Sequence, residues 1–401
     1  MLIEFNVTNF RSIKETQKLS LAATTAKDLR TENTFATEFS QLPRLLKSVV
    51  IYGPNASGKS NIINAMRFMR QFVLSSATCY QEGDMIAEVK PFLFNSQTQT
   101  QASEFEVLFV QKGGFYQYGF AVNHFRVIHE WLLAYPQKRV QRWFEREYDP
   151  ASDQENWYFG KKFKGHHQIL KESTRHNALF LSTAIQFNNK QLKPVFYWFK
   201  EQLRVFEERQ DVKQGFELTL NDCKTEAGKQ KILTFLKAAD LNMADILLKY
   251  NHSDRAQVQF AYVNEIQQPV LLNSNEESRG TQKIFNFSSI WLKMLEQGWI
   301  LWVDELDNSL HPLLVRFLIN LLHDPDINKH NAQLIFTTHD TSILESQLLR
   351  RDQIWFLEKN SDHATQLYPL SDFMPRQGEI IGKSYLNGRY GALPYIKDLK
   401  I

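Results

Sequence analysis

Eight consecutive residues, Gly53-Pro54-Asn55-Ala56-Ser57-Gly58-Lys59-Ser60, fit the pattern G-x-x-x-x-G-K-[ST] without a mismatch. Two glycines let such a loop curl until successive N–H groups face one anion, and a following helix start adds partial positive charge. Asn55 and Gly58 belong to that cradle, Lys59 is placed to reach β and γ phosphates, and the Ser60 hydroxyl suits Mg²⁺. Further along, the apolar run 299–303 ends in two adjacent carboxylates, Asp304 and Glu305. The first suits Mg²⁺, directly or through water, and the second suits polarisation of an attacking water. A second apolar run, 333–338, ends in His339-Asp340, with His339 35 positions after Asp304, one strand–helix–strand step. A histidine there can donate a hydrogen bond to a γ-phosphate.

Another anion-directed element is the stretch Glu276-Glu277-Ser278-Arg279-Gly280-Thr281-Gln282-Lys283, which precedes an apolar-periodic helix carrying Ile284, Phe287, Trp291 and Leu295. Ser278 suits the N-cap, Gly280 permits close backbone approach, and the helix start offers free N–H groups. One nucleotide cannot easily use both helix starts of the same subunit. The spacing therefore predicts a homodimer in which a nucleotide lies between the Lys59 loop of one copy and the Ser278 loop of the other.

The elements that must position these residues are legible from periodicity. Residues 47–52 read as a buried strand before the cradle, and 61–73 as the helix after it. Runs 299–303, 333–338 and 354–358 are buried strands, with an amphipathic helix over 312–323; strands alternating with helices predict a parallel sheet. Residues 2–13 alternate as a half-buried strand, whereas 14–46 read as polar and turn-rich. Residues 105–110 and 116–122 flank a Gly113-Gly114 turn as a hairpin, and a further strand is expected over 130–135. The expected organisation is an N-terminal half over 1–135, a mostly helical insertion over 136–266, with helical spacing in 192–206 and 229–241, and a C-terminal half over 267–401.

Composition sets the outer bounds. With 43% hydrophobic and 13% aromatic residues the 401-residue chain suits a globular protein with one large core or two ordinary ones. No run of about 18 apolar residues and no leader are expected, and two lone cysteines, Cys79 and Cys223, suit a reducing cytosol rather than a disulfide framework. A net charge of +3 makes no case for a dedicated nucleic-acid coat. Local basic residues, Lys138, Arg139, Arg142, Arg146 and the run Lys161-Lys162-Phe163-Lys164-Gly165-His166-His167, interleave with Trp143, Phe144 and Phe163, so nucleic acid is a candidate partner beside the commoner solvated surface. The histidine pair lacks carboxylate or cysteine neighbours at metal-ligand spacing.

Taken together, the cradle, a Ser-x-Gly signature before Asp304-Glu305, Asp307 in the D-loop position and the late His339 resemble the ABC-type ATPase head shared with SMC and RecF proteins. The wording Glu277-Ser278-x-Gly280-Thr281-x-Lys283, Asp304-Glu305-Leu306-Asp307-x-Ser309-Leu310-His311-Pro312 and Gly388-Arg389-Tyr390-Gly391-Ala392-Leu393-Pro394 is similar to that of RloA-like ATPases of the AAA grouping. The Asn6-x-x-Asn9-Phe10-Arg11-Ser12 start extends the likeness to nearly the whole chain.

The resemblance implies an α/β P-loop head with a parallel core sheet, an adjoining antiparallel β-subdomain and a mostly helical insertion. It implies ATP and Mg²⁺ as cofactors, ATP-driven head dimerisation, a cytoplasmic location and a bacterial antiphage or abortive-infection role beside a separately encoded effector. A RecF-like role in DNA repair and a slow-turnover ATP-dependent scaffold are the alternatives. The signature departs from the transporter form at Glu277, Arg279 and Thr281, which argues against a transporter. Gln97, Gln99 and Gln101 are the candidates for a magnesium-sensing glutamine, all in a polar loop. Only 62 residues follow His339, too few for a further nuclease domain of the usual ~100 residues.

Overall fold

The computed structural model describes residues 1–39, 42–136, 139–206, 208–250, 256–345, 347–376 and 378–395. At its centre is a six-stranded sheet in the order Leu203–Phe206, Ile300–Val303, Gln333–Thr337, Ser48–Tyr52, Ile354–Lys359, Thr365–Pro369. All neighbours are parallel except the last pair, which forms an antiparallel hairpin at the edge. The Ser48–Tyr52, Ile300–Val303 and Gln333–Thr337 strands are buried at every position, as a parallel sheet covered on both faces requires. Side chains alternate between two cores. Val49, Ile51, Trp302 and Ile335 face the Lys59–Cys79 helix, while Val50, Tyr52, Leu301, Val303 and Phe336 face the Arg279–Gln297 and Pro312–His323 helices. Because the Gln333–Thr337 strand lies between Ser48–Tyr52 and Ile300–Val303, the segments leaving their carboxyl ends emerge side by side.

A seven-stranded antiparallel sheet lies over the other side of the Lys59–Cys79 helix, in the order Gln154–Phe159, Gln141–Asp149, Val127–Ala134, Gly114–Val122, Ser103–Gln111, Leu2–Thr8, Gln17–Ser20. Phe68 of the helix meets Phe105 at 5.0 Å and Phe72 meets Phe120 at 5.5 Å, joining helix and sheet in one core. The expected hairpin is present, with its tight turn at Lys112 and Gly113, both at positive φ.

Three features depart from the sequence reading. The antiparallel sheet runs on to residue 159, past the boundary expected at 135. The charged text of Gln141–Asp149 reads as surface, yet Arg146 is buried in an ion pair with Glu130, Nε to Oε2 3.1 Å, and Trp143 and Phe144 are core residues. Residues 192–206 are not one helix: Lys193–Tyr197 is α-helical, Trp198–Gln202 is a π turn, and Leu203–Phe206 joins the parallel sheet. A short apolar stretch satisfies either period, and pairing with Ile300–Val303 decides it. The later part of 136–266 does carry the helices Glu208–Cys223 and Glu226–Ala238. It also holds two strands of a small sheet, Asp245–Tyr250 and Ala256–Val263, completed by Pro269–Asn273. Residues 14–46 include the strand Gln17–Ser20 and the paired strands Thr34–Ala36 and Arg44–Leu46.

Candidate functional site

The Gly53–Ser60 loop follows directly from the Ser48–Tyr52 strand and enters the Lys59–Cys79 helix. Ala56 and Gly58 adopt positive φ, 62° and 112°, which gives the loop its inward curl. Glycine is needed at 58 for space as well: a Cβ there would stand 2.3 Å from Thr365 Oγ1 and 2.8 Å from Ser12 Oγ. Those two hydroxyls bond each other at 2.7 Å, Thr365 Oγ1 donates to the Ser57 carbonyl at 2.8 Å, and Asn61 Nδ2 donates to Ser12 Oγ at 2.7 Å. The loop is thus propped from outside by the turn after the first strand and by the edge hairpin.

Lys59 is only 6% exposed, and its Nζ donates to the carbonyls of Gly53 at 2.7 Å and Pro54 at 3.1 Å. Burial pulls its pKa below the ordinary lysine value, opposed by the carboxylates of Asp304, Glu305 and Asp307. An arriving anion would stabilise the same charge. Asn55 and Ser60 are exposed beside it.

The acidic pair follows the Ile300–Val303 strand. Asp304, 9% exposed, accepts a 2.6 Å hydrogen bond on Oδ1 from the Thr337 hydroxyl, and that hydroxyl accepts the Glu305 N–H at 2.7 Å. The Leu306 N–H donates to the Thr337 carbonyl at 3.1 Å. One threonine at the end of the neighbouring strand therefore fixes both acids. Glu305 is exposed and held at φ 51°, a left-handed conformation uncommon for this residue type. Asp307 Oδ2 accepts the His339 N–H at 3.2 Å, while its Oδ1 is buried without a partner among the described residues. The His339 side chain is exposed, and the Tyr52 hydroxyl bonds the next residue's carbonyl, Asp340 O, at 2.9 Å.

The predicted cap at Ser278 is present: its Oγ accepts the Thr281 N–H at 3.1 Å at the start of the Arg279–Gln297 helix. A Cβ on Gly280 would lie 2.9 Å from the Ser309 carbonyl, so this helix start presses on the segment after the acidic pair. Lys283, 7% exposed, donates from Nζ to the Asn308 carbonyl at 2.6 Å and to those of Leu306 and Glu305 at 3.3 and 3.4 Å. Among the described residues, hydrogen bonds tie 278–283 to 305–309 and none tie it to 53–60. Ser278 and Arg279 stay exposed.

Thr337, Lys283, Ser12 and Thr365 escaped the sequence reading as site residues. The only signal for Thr337 is its place at the end of a buried strand just before His339, and Ser12 stands in the Asn9-Phe10-Arg11-Ser12 start. Gln97, Gln99 and Gln101 are exposed, in a loop fastened to Asn9: its Nδ2 donates to Thr98 O and Gln101 O, and Gln99 Nε2 donates to Leu93 O. Trp143, Phe144 and Phe163 are core residues, and Arg146 belongs to the buried ion pair, so these cannot interleave with a nucleic-acid backbone. Lys138 lies outside the described residues.

The residues fit the group the sequence implies. A curled, glycine-spaced loop with a buried lysine suits phosphates, and the oxygen donors Ser60 and Asp304 suit a hard cation such as Mg²⁺.

Residues 48–345 match the family described as "AAA domain, putative AbiEii toxin, Type IV TA system". The chain belongs to this family. The match begins on the strand before the cradle and ends beyond His339, so it takes in every predicted site residue of this AAA-domain protein. No curated protein matches it by sequence. Among solved structures, an SMC head domain from Thermotoga maritima is similar at 11% identity and a TM-score of 0.42, covering 92% of this chain and 98% of its own. An SMC head bound to the C-terminal winged-helix domain of ScpA is similar at 12% identity and a TM-score of 0.44, covering 92% and 97%. Among the described residues no helix is long and apolar enough to cross a membrane.

Proposed function

We propose that this AAA-domain protein binds and hydrolyses ATP with Mg²⁺ in a homodimer that closes around nucleotide, and that the closed state controls a separate effector in bacterial antiphage defence. Asn55, Gly58 and Lys59 would hold the phosphates, Ser60 and Asp304 the cation. Glu305 would polarise the attacking water, and His339 would donate to the γ-phosphate. Ser278 and Gly280 of the second copy would complete the site, with Asp307 beside it.

The observation that carries this reading is the placement of the Ser278 helix start. It is fastened to its own subunit's 305–309 segment, leaves Ser278 and Arg279 exposed, and shares no hydrogen bond with its own Lys59 loop among the described residues. A helix start that bonds its own 305–309 segment and leaves Ser278 and Arg279 exposed, in a chain whose cradle residues Asn55 and Ser60 are also exposed, suits two half-sites in a two-fold dimer. The family's toxin–antitoxin description and the RloA-like wording support the defence role.

Glu305→Gln tests the core of the proposal. It should abolish steady-state hydrolysis and trap an ATP-dependent dimer in light scattering after size-exclusion chromatography. A variant that remains monomeric with ATP, or hydrolyses at the wild-type rate, would overturn it. Affinity purification of the same variant from its host tests the second part: a co-purifying nuclease or toxin supports it, and recovery of DNA alone points to repair.

A further inference from the structure

Residues 161–200 carry seven lysines and one arginine against a single acid, Glu172, a net of +7 in a chain whose whole is +3. The structure gathers part of this charge at one concavity of about 600 Å³, lined by Lys164, His166, Ile169, Phe187, Asn189 and Lys190 among others. Lys161 and Lys162 stand three and two positions before Lys164 in the sequence, the Lys162 carbonyl bonded to the lining residue Gln191, and all four lysines are exposed. None of Lys161, Lys162, Lys164 and Lys190 stands in an ion pair among the described residues. Two large apolar side chains open onto the same place, Ile169 at 52% and Phe187 at 53% exposure.

The concavity is rigidly built. Gln191 Oε1 accepts the Lys164 N–H at 2.8 Å, Gln191 Nε2 donates to the Lys162 carbonyl at 3.2 Å, and Asn189 Nδ2 donates to the Lys164 carbonyl at 3.3 Å. Asn189 Oδ1 accepts the N–H groups of Gln191 and Leu192. His167 stacks on Phe159 and Phe163, with ring centroids at 4.7 and 5.0 Å, fastening the basic run to the core. None of the four lysines belongs to the candidate nucleotide site.

We infer that this basic concavity, apart from the nucleotide site, binds a single-stranded nucleic acid. The lysines Lys161, Lys162, Lys164 and Lys190 contact the phosphates, and Phe187 offers a ring face to an unstacked base. Charge complementarity selects a polyanion, and an exposed aromatic ring inside the basic rim selects one with bases free to stack. A duplex keeps its bases stacked inside, and an acidic peptide has no need of the ring.

The test uses the full chain and a fluorescein-labelled single strand of about 20 nucleotides, followed by anisotropy in KCl. With four phosphates neutralised, affinity should fall about 50-fold between about 50 and 200 mM salt. Replacing all four lysines with glutamine should weaken binding at least about tenfold and flatten the salt dependence. Phe187→Ser should weaken it about fivefold or more with the salt dependence kept. These side chains are exposed, so unchanged thermal melting and ATP binding verify folding. Wild-type affinity in the lysine variant would overturn the inference. So would wild-type affinity in Phe187→Ser, which leaves an unspecific polyanion surface. Displacement of the strand by polyglutamate as effectively as by unlabelled oligonucleotide would instead indicate an acidic protein partner.

Discussion

Thr337→Val isolates one side-chain oxygen at the centre of the candidate site. Valine keeps the volume and the β-branched shape of a fully buried strand residue, and removes only the hydroxyl. That hydroxyl makes two bonds, 2.6 Å to Asp304 Oδ1 and 2.7 Å from the Glu305 N–H. The first is assisted by the carboxylate charge and contributes about 1.5–3 kcal/mol; the second leaves a partly buried N–H unpaired at about 1 kcal/mol or more. A stability loss of about 2–4 kcal/mol is expected in urea unfolding. Glu305 is held at φ 51° through that same N–H, so its carboxylate should lose its aim. If about 1.4 kcal/mol of the loss falls on the transition state, kcat drops about tenfold. ATP affinity, which the proposed function assigns mainly to the Lys59 loop, should change less. Thr337→Ser restores the oxygen and should recover most of the rate, which a mere packing role for the methyl group would not produce. The assay is steady-state phosphate release beside equilibrium nucleotide binding. Wild-type kcat and stability in Thr337→Val would refute the claim that this threonine fixes the acidic pair.

Lys59→Ala should abolish detectable ATP binding by calorimetry, and normal affinity would remove the cradle assignment. Gly58→Ala forces a Cβ to within 2.3 Å of Thr365 Oγ1 at φ 112°; an expected stability loss of about 1–3 kcal/mol accompanies loss of nucleotide affinity, checked by thermal unfolding with and without ATP. Burial, reinforced by the charge of Lys47, pulls the His323 pKa from 6.5 down to about 3, while its Nε2 meets Ser48 Oγ at 2.8 Å. The unfolded chain therefore binds the extra proton first: the stabilisation is complete above pH 6.5 and is lost as pH falls from 6.5 toward 3. The slope is about 1.4 kcal/mol per pH unit, or about 2 kcal/mol by pH 5. His323→Gln should flatten that slope in urea titrations between pH 7 and 5, and an unchanged slope would assign it to other groups.

Much of the site was legible because its chemistry sits in contiguous text. Gly53–Ser60 fits a phosphate-loop pattern by residue type alone, and the runs before Asp304 and His339 are apolar enough to read as buried strands. The Pro312–His323 helix appears with its expected bounds, since Pro at N1 and a strong apolar face mark both start and side. Less legible were residues whose role depends on a partner far away in sequence. Arg146 reads as a surface charge until Glu130 is placed opposite it, and residues 203–206 read as helix until the edge of the parallel sheet claims them. The aromatic residues beside the basic run read as an interleaved binding surface, but Trp143, Phe144 and Phe163 fill the core, whereas Phe187 is exposed.

The sequence by itself determined which chemical groups the chain brings to the candidate site, because residue types at fixed spacing need only local backbone geometry to come together. It also determined the alternation of strands and helices in the nucleotide core, since a period-two or 3.6-residue pattern is a local property. Tertiary structure alone decided which groups meet. Thr337 lies 33 residues from Asp304 and Thr365 308 from Ser57, yet parallel pairing and a hairpin bring each within hydrogen-bond reach. The same folding fastens the Ser278 helix start to its own acidic segment through Lys283. Contacts of that range follow from strand order, which no local pattern encodes.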